Sequence, residues 1–479
     1  MEKYKNPLVE RYSSQEMLYN FSPKKKFLTW RKLWLYLAEI QKELGLNISE
    51  EQIFDLKNNL HDIDWNRVSF YEKKFRHDVM AHLYAFGEKA TIARPIIHLG
   101  ATSAFLGDNT DIILIRDGLE ILLKKLINVI FRLRNFTLEY HNIPTLAFTH
   151  YQPAQLTTVG KRSALWLQSL LLDLEELEFR LKNIRFRGVK GTVGSADSFK
   201  ELFNGDLQKL KDLEKKLSNK FKFKNVFPIT GQTYDRKVDA QILNLLSNIS
   251  QSSHKFSNDL RLLQNLKEME EPFEKEQIGS SAMAYKRNPI RSERMAALAK
   301  YVISLSNSSA LVAATQWLER TLDDSANRRL VIGQSFLAVD SILMIWNNIL
   351  ENLVVYPKMI DKHIKEELPF LVTEYIIIEC VKKGADRQDI HERIRIHSME
   401  ANDKIKLEGI ENDFIQRILH DKKIPIHEKK INQILNPKKL TGFSSDQTLE
   451  FLDTKVNPIL NRFHHLIDFD LSNIIDRQI

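Results

Sequence analysis

The sequence predicts an all-α protein built on unusually long helices. Glycine and proline, the residues that most effectively interrupt helices, number only 16 and 13 in 479 residues. Residues 290–356 contain no proline and a single glycine, Gly333, and apolar residues recur there at three- and four-residue steps. The same periodicity runs through 119–141, 159–184 and 236–265. Splitting the 290–356 stretch in two gives five long helices. Each would have about 25 residues and measure roughly 38 Å, against an ordinary length of ~11 to 12 residues.

Helices of that length need partners along all of it. LEILLKKLINVI (119–130) and residues 165–177 are apolar over more than one stripe, which predicts neighbours on more than one side: a bundle core, or better an oligomer. Before 102 the helical patterns are shorter and more polar, and from Pro357 they shorten again, divided by Gly384, Pro425 and Pro437. These shifts place domain boundaries near 102 and 356, giving segments 1–102, 103–356 and 357–479. The length itself corresponds to about three domains.

Hydrophobic residues at 43% and charged residues at 28% favour neither a disordered chain nor a membrane protein. Lys and Arg total 70 against 62 Asp and Glu, a net charge of +8 with a pI near 9.1. That excess suits an anionic ligand. The charges are interspersed rather than blocked, so a phosphorylated small molecule fits better than nucleic acid. Cys380, in EYIIIECV, is the only cysteine and reads as core, so no intrachain disulfide can form. The N-terminus has no secretory apolar stretch, and no run approaches the ~20 apolar residues of a membrane helix. A cytoplasmic location is expected.

Candidate chemistry concentrates in a few places. GSSAMAYKRNPIRSER (279–294) reads as a loop between helices, with two serines near Lys286, Asn288, Arg291 and Arg294. A serine hydroxyl becomes a base only where its alkoxide is favoured, and Lys286 with the N–H groups of a tight loop could supply that. The usual partner for proton transfer near neutral pH is a histidine. His150, in FTHYQPAQLTTVGKR, is expected at the entrance of the helix from Val159, and His77, in FRHDVMAH, is less informative.

Arg320, Ser325 and Arg329 occur in ERTLDDSANRR. In one straight helix the two arginines would lie on opposite faces at ~100° per residue. DDS is good N-cap text, however, and a break near Asp324 or Ser325 followed by a new helix would bring both arginines and free N–H groups together as a phosphate site. GVKGTVG (188–194) follows a helix and lacks the spacings of a nucleotide-binding loop. His77 and His82 match one helix face poorly and no Cys/His cluster exists, so neither a metal nor any cofactor is expected.

GSSAMAYKRNP resembles the GSSxMPxKxNP loop of the fumarase/aspartase superfamily. RHDVMAH, HLGATSAFLGDNTD, THYQPAQLTTVGKR, TGQTYDRKVD and QWLERTLDDSANRR are similar to the adenylosuccinate lyase branch in particular, so the resemblance covers most of the chain. It implies a three-domain helical homotetramer whose central helices form a twenty-helix core, with each active site assembled from three subunits. It also implies an anti elimination releasing fumarate from adenylosuccinate, giving AMP, and from SAICAR, giving AICAR. Ser280 would remove the proton beside the succinyl carboxylate, His150 would protonate the departing nitrogen, and Lys286 and Asn288 would stabilise the dianionic intermediate. By the same resemblance Arg11, Tyr12, Arg320, Ser325 and Arg329 would hold the nucleotide and its phosphate. Arg76, His77, Asp78, Thr102, Ser103, Gln232 and Arg294 would line the rest of the substrate site.

The sequence departs from the family loop at Ala284, where proline is usual. Alanine leaves the loop's free ensemble wider, at about 0.4 to 1 kcal/mol of preorganisation if the closed backbone is the same. Two other readings compete. A sister lyase acting on argininosuccinate, aspartate or malate would have no use for the phosphate clamp, and a noncatalytic scaffold would have no use for Ser280, Lys286, Asn288 and His150 together.

Overall fold

The computed structural model describes residues 3–468, so the outermost ends of the first and last expected segments lie outside the described residues. The N-terminal part contributes α1 (Pro23–Glu43), α2 (Trp65–Phe75) and α3 (Asp78–Lys89). Five long helices follow: α4 (Ser103–Glu139), α5 (Val159–Asn183), α6 (Lys237–Asn265), α7 (Ile290–Ala314) and α8 (Asp324–Glu351). All five expected helices are present; α7 ends at Ala314, and α8 begins within the DDS signal, at Asp324. Shorter helices, from α9 (Pro357–Leu371) through α10 (Thr373–Lys382) and α11 (Arg387–Glu408), complete the described chain.

Local chemistry sets the helix ends. Ser14, Ser22, Ser49, Asp64, Thr102, Thr158 and Asp386 each cap a helix by accepting a backbone N–H. α4 is the largest departure from expectation, starting at Ser103 rather than 119. Its first turns carry the polar run GDNTD, yet Asp108, Asn109 and Thr110 are buried. Asp108 accepts from the Tyr234 amide and Arg236, and Asn109 makes two hydrogen bonds with the Gly188 backbone (3.0 and 3.2 Å). The polarity of Asp108 and Asn109 is satisfied inside rather than exposed, whereas the buried Thr110 hydroxyl has no hydrogen-bond partner among the described residues.

One apolar cluster joins α4 to α8 with the C-terminal helices, where Cys380 is fully buried. A second gathers Trp30, Trp34 and Phe86 with Phe105, Ile112 and the 186–234 segment. α8 is long and apolar enough to cross a membrane by length and composition, which corrects the expectation that no run approaches that length; 83% of its most apolar stretch is buried inside the protein. It is apolar all round because it is packed all round. Two small antiparallel sheets interrupt the helical plan: β1 (Pro144–Thr149) with β2 (Gln152–Thr158), and β3 (Met269–Glu270) with β4 (Val354–Val355).

Candidate functional site

A cavity of about 710 Å³ opens between the N-terminal helices and the long bundle. Three helix N-termini reach it: α3 through His77 and Asp78, α4 through Thr102 and Ser103, and α8 through Asp324 and Ser325. Such ends present free N–H groups and partial positive charge, so their convergence favours an anion. α3 and α4 are capped by His77 Nδ1 and Thr102 Oγ1, whereas no side chain caps α8. Arg76, in a left-handed conformation at the end of α2, also lines the cavity.

The helix break brings Arg320 and Arg329 to this one cavity, together with Ser325. Arg329 pairs with Asp78 at 3.1 Å, and Arg320 donates to Gln232 Oε1 at 3.0 Å. Two glycines permit that second contact. A Cβ on Gly231 would lie 2.5 Å from the Glu319 carbonyl, and one on Gly194 only 1.9 Å from the Thr230 carbonyl. The GVKGTVG segment is thus a close-packing element, and its Thr192 lines the cavity.

Below the cavity lies a buried ionic network. Arg236 bridges Asp324 (2.6 Å) and Asp108 (3.1 Å), while Arg328 bridges Asp239 (2.6 Å) and Asp111 (3.0 Å) and donates to Tyr234 Oη (2.6 Å). Burial opposes the Arg236 charge, but Asp108 holds its pKa above the ordinary value; burial first, with Asp239 and Asp108 adding to it against Arg328 and Arg236, pushes Tyr234 well up. Arg236 Nη1, Asp324 Oδ1 and Arg320 Nε are buried without hydrogen-bond partners among the described residues. Unpaired polar atoms of this kind at a cavity wall are what a ligand satisfies. Asp108, Arg236, Asp324 and Arg328 line the cavity without having been singled out as site residues, as does His98. His98 heads the HLGATS stretch, the one signal that pointed to it.

The remaining candidates lie elsewhere. His150 is not at a helix entrance: it and Tyr151 form the two-residue turn of the β1–β2 hairpin, with φ of 52° and 58°. Both central residues of a type I′ turn need positive φ, which explains the conformation. Ser280, Lys286 and Asn288 sit in the loop before α7, as expected. Ser280 Oγ accepts from the amides of Met283 (3.1 Å) and Ala282 (3.4 Å), and Asn288 donates to the Gly279 carbonyl (2.8 Å). Arg291 is an anchor rather than a free donor, buried and bonded to the Pro272 carbonyl and Glu274. Arg294 stacks on the Tyr12 ring at 5.4 Å, with Arg11 on the same ring at 5.8 Å. None of His150, Ser280, Lys286, Asn288, Arg294, Arg11 or Tyr12 lines the 710 Å³ cavity of the single chain. His82 is a core residue, stacked on Phe27 at 3.8 Å with its pKa lowered by burial to about 4.

Comparison with known proteins identifies the family and the fold. A lyase family model matches residues 66–304, and a model of the adenylosuccinate lyase C-terminus matches 369–451. The adenylosuccinate lyase of Schistosoma mansoni is 49% identical over 466 residues, covering 96% of this chain and 97% of its own. That of Saccharomyces cerevisiae is 47% identical over 470 residues, 98% of each. Among solved structures, a fumarate lyase from Mesorhizobium sp. BNC1 superposes with a TM-score of 0.80 at 18% identity, over 95% of this chain and 100% of that one. The 3-carboxy-cis,cis-muconate lactonizing enzyme of Pseudomonas putida also gives 0.80, at 17% identity, over 94% and 98%. The fold is therefore that of the fumarate lyases, and with near full-length identity approaching one half, the chain belongs to the adenylosuccinate lyase family.

Proposed function

We propose that this chain is a carbon–nitrogen lyase that eliminates fumarate from adenylosuccinate, leaving AMP, and from SAICAR, leaving AICAR. The observation that carries the reading is the convergence of Arg320, Ser325, Arg329 and three helix N-termini on one cavity, a setting built for a phosphorylated anion. The sister lyases of the superfamily act on unphosphorylated substrates and have no use for that clamp.

In the proposed reaction Ser280 takes the proton from the succinyl carbon beside the carboxylate. Electrons pass into that carboxylate and then expel the nitrogen, which His150 protonates as the C–N bond breaks. The Met283 amide, 3.1 Å from Ser280 Oγ, favours the alkoxide form, and Lys286 and Asn288 stabilise the dianion. Arg11, Tyr12, Arg76, His77, Asp78, Thr102, Ser103, Gln232 and Arg294 hold the remainder of the substrate. No cofactor enters.

His150 and the Ser280 loop reach the cavity of another copy in this reading, in a homotetramer with three-part sites and a division of the chain near 102 and 356; a cytoplasmic location goes with it. The first test is product analysis. Purified protein should convert adenylosuccinate to equal amounts of AMP and fumarate, and Ser280→Ala should yield almost none. A folded native protein without products overturns the reading. Mixing inactive His150→Ala and Ser280→Ala proteins should restore part of the activity if sites are shared.

A further inference from the structure

His98 stands at the cavity wall beside His77 and Ser103, with a backbone φ of 74°. Its Nδ1 lies 2.9 Å from Trp34 Nε1. An indole N–H can only donate, so Nδ1 must present its lone pair and the ring proton must sit on Nε2. Trp34 is buried in α1 and stacks near Phe86 at 5.9 Å, which fixes the donor's direction. The neighbouring Leu99 carbonyl is held by Gln41 Nε2 at 3.0 Å. A left-handed backbone at a residue other than glycine persists where its surroundings over-determine it, and these two anchors do so. Among the described residues Nε2 has no protein hydrogen-bond partner, and Trp34 itself does not line the cavity.

We propose that Trp34 is a positioning residue that locks His98 as the Nε2–H tautomer, making His98 an uncharged donor to an anionic or carbonyl oxygen of the substrate. The substrate part of this rests on the lyase function proposed above; the tautomer does not. Burial, and then the nearby His77, hold the His98 imidazole down to about 4, consistent with a ring that stays neutral at physiological pH. A fixed neutral donor binds an oxygen without trading protons with it. His98 therefore serves binding, and the proton chemistry belongs to other groups.

Two measurements test this. Solid-state 15N spectra of histidine-labelled protein, with His98 assigned by its loss in His98→Gln, should show an unprotonated Nδ1 and a protonated Nε2. Trp34→Phe should turn that single state into a tautomer mixture. With adenylosuccinate, Trp34→Phe should raise KM roughly 3- to 10-fold with little change in kcat, the effect of losing one aligned hydrogen bond. His98→Gln places an amide donor near the Nε2 position without needing Trp34. In that background Trp34→Phe should add nothing to KM, which a purely structural role for Trp34 would not produce. A protonated Nδ1 in the native protein, equal damage by Trp34→Phe in both backgrounds, or a fall in kcat with KM unchanged would each overturn the proposal. A native protein inactive on adenylosuccinate would defeat the proposed function, while the spectra would still decide the tautomer.

Discussion

Replacing Asp340 by asparagine isolates the contact that pins the N-terminal segment to the long bundle. Asp340 is fully buried on α8 and accepts from Lys125 Nζ of α4, from the Ser14 amide at 2.7 Å and from Ser14 Oγ at 3.1 Å. Lys125 also donates to Ser14 Oγ at 2.8 Å and pairs with Glu16 at 3.0 Å. Asparagine keeps the shape but leaves the Lys125 ammonium 4% exposed without its buried counter-charge. Breaking such a pair costs about 3 to 5 kcal/mol. Glu16, whose side chain is half exposed, offsets at most ~1 kcal/mol of that, so a net loss of about 2 to 4 kcal/mol is expected. Adding Lys125→Met should return most of the loss, because no buried charge then remains. Chemical unfolding at fixed protein concentration, run as a double-mutant cycle, measures both numbers. The segment at stake carries Arg11 and Tyr12, so Asp340→Asn should also raise KM. A change below about 0.5 kcal/mol, or a double mutant that is merely additive, refutes the reasoning.

Other expectations follow from single contacts. Arg329→Gln should raise KM for adenylosuccinate at least about tenfold while moving stability by less than about 1 kcal/mol, since its pair with Asp78 is exposed; an unchanged KM counts against the phosphate clamp. Ala284 occupies the second position of the turn closed by Lys286 N–H and the Met283 carbonyl at 2.9 Å, where proline is favoured. Ala284→Pro should therefore raise activity or tighten binding modestly, by about 0.4 to 1 kcal/mol, and a clear loss in steady-state kinetics would refute it. Burial pushes the Asp173 carboxyl up from 3.8 to about 6. A raised folded-state value means that its contribution to stability is complete below the ordinary carboxylate range and is lost as pH rises through about 6. Asp173→Asn should consequently stabilise the protein at pH 8, by at most about 3 kcal/mol, and the gain measured by thermal unfolding should shrink toward pH 5.

Much of the helical frame was legible because long helices betray themselves by what they lack. Residues 290–356 have no proline, and DDS marks the break that the structure places at Asp324. The start of α4 was not legible. The apolar periodicity begins only at 119, and the polar GDNTD before it joins the helix because Arg236 and Gly188 pair with it from elsewhere in the chain. The β1–β2 hairpin escaped for a similar reason: His150–Tyr151 carries none of the Asn-Gly or Asp-Gly text that announces a two-residue turn. Arg320 and Arg329 were placed together because the cause was local, a helix break. The Trp34–His98 bond joins residues 64 apart in sequence, and no local pattern points to it.

The candidate residues fall on two differently held parts of the chain, the cavity wall and the Ser280 loop. The cavity wall is rigid: Arg236 ties the start of α8 to α4 through Asp324 and Asp108, and Arg328 ties α8 to α6 and α4 through Asp239 and Asp111. Each of these charges is expensive to strand, so the N-termini of α4 and α8 are fixed relative to one another before any ligand arrives, while that of α3 is tied to them by the exposed Arg329–Asp78 pair and the His77–Ser103 contact. The Ser280 loop is held differently, by its own turn and a few hydrogen bonds within the loop. Groups on the wall are preorganised and should govern binding, whereas groups on the loop must be brought to the substrate and should govern rate. A substitution in the Arg236 network that left KM intact while lowering kcat would show that the wall, not the loop, sets the pace of the reaction.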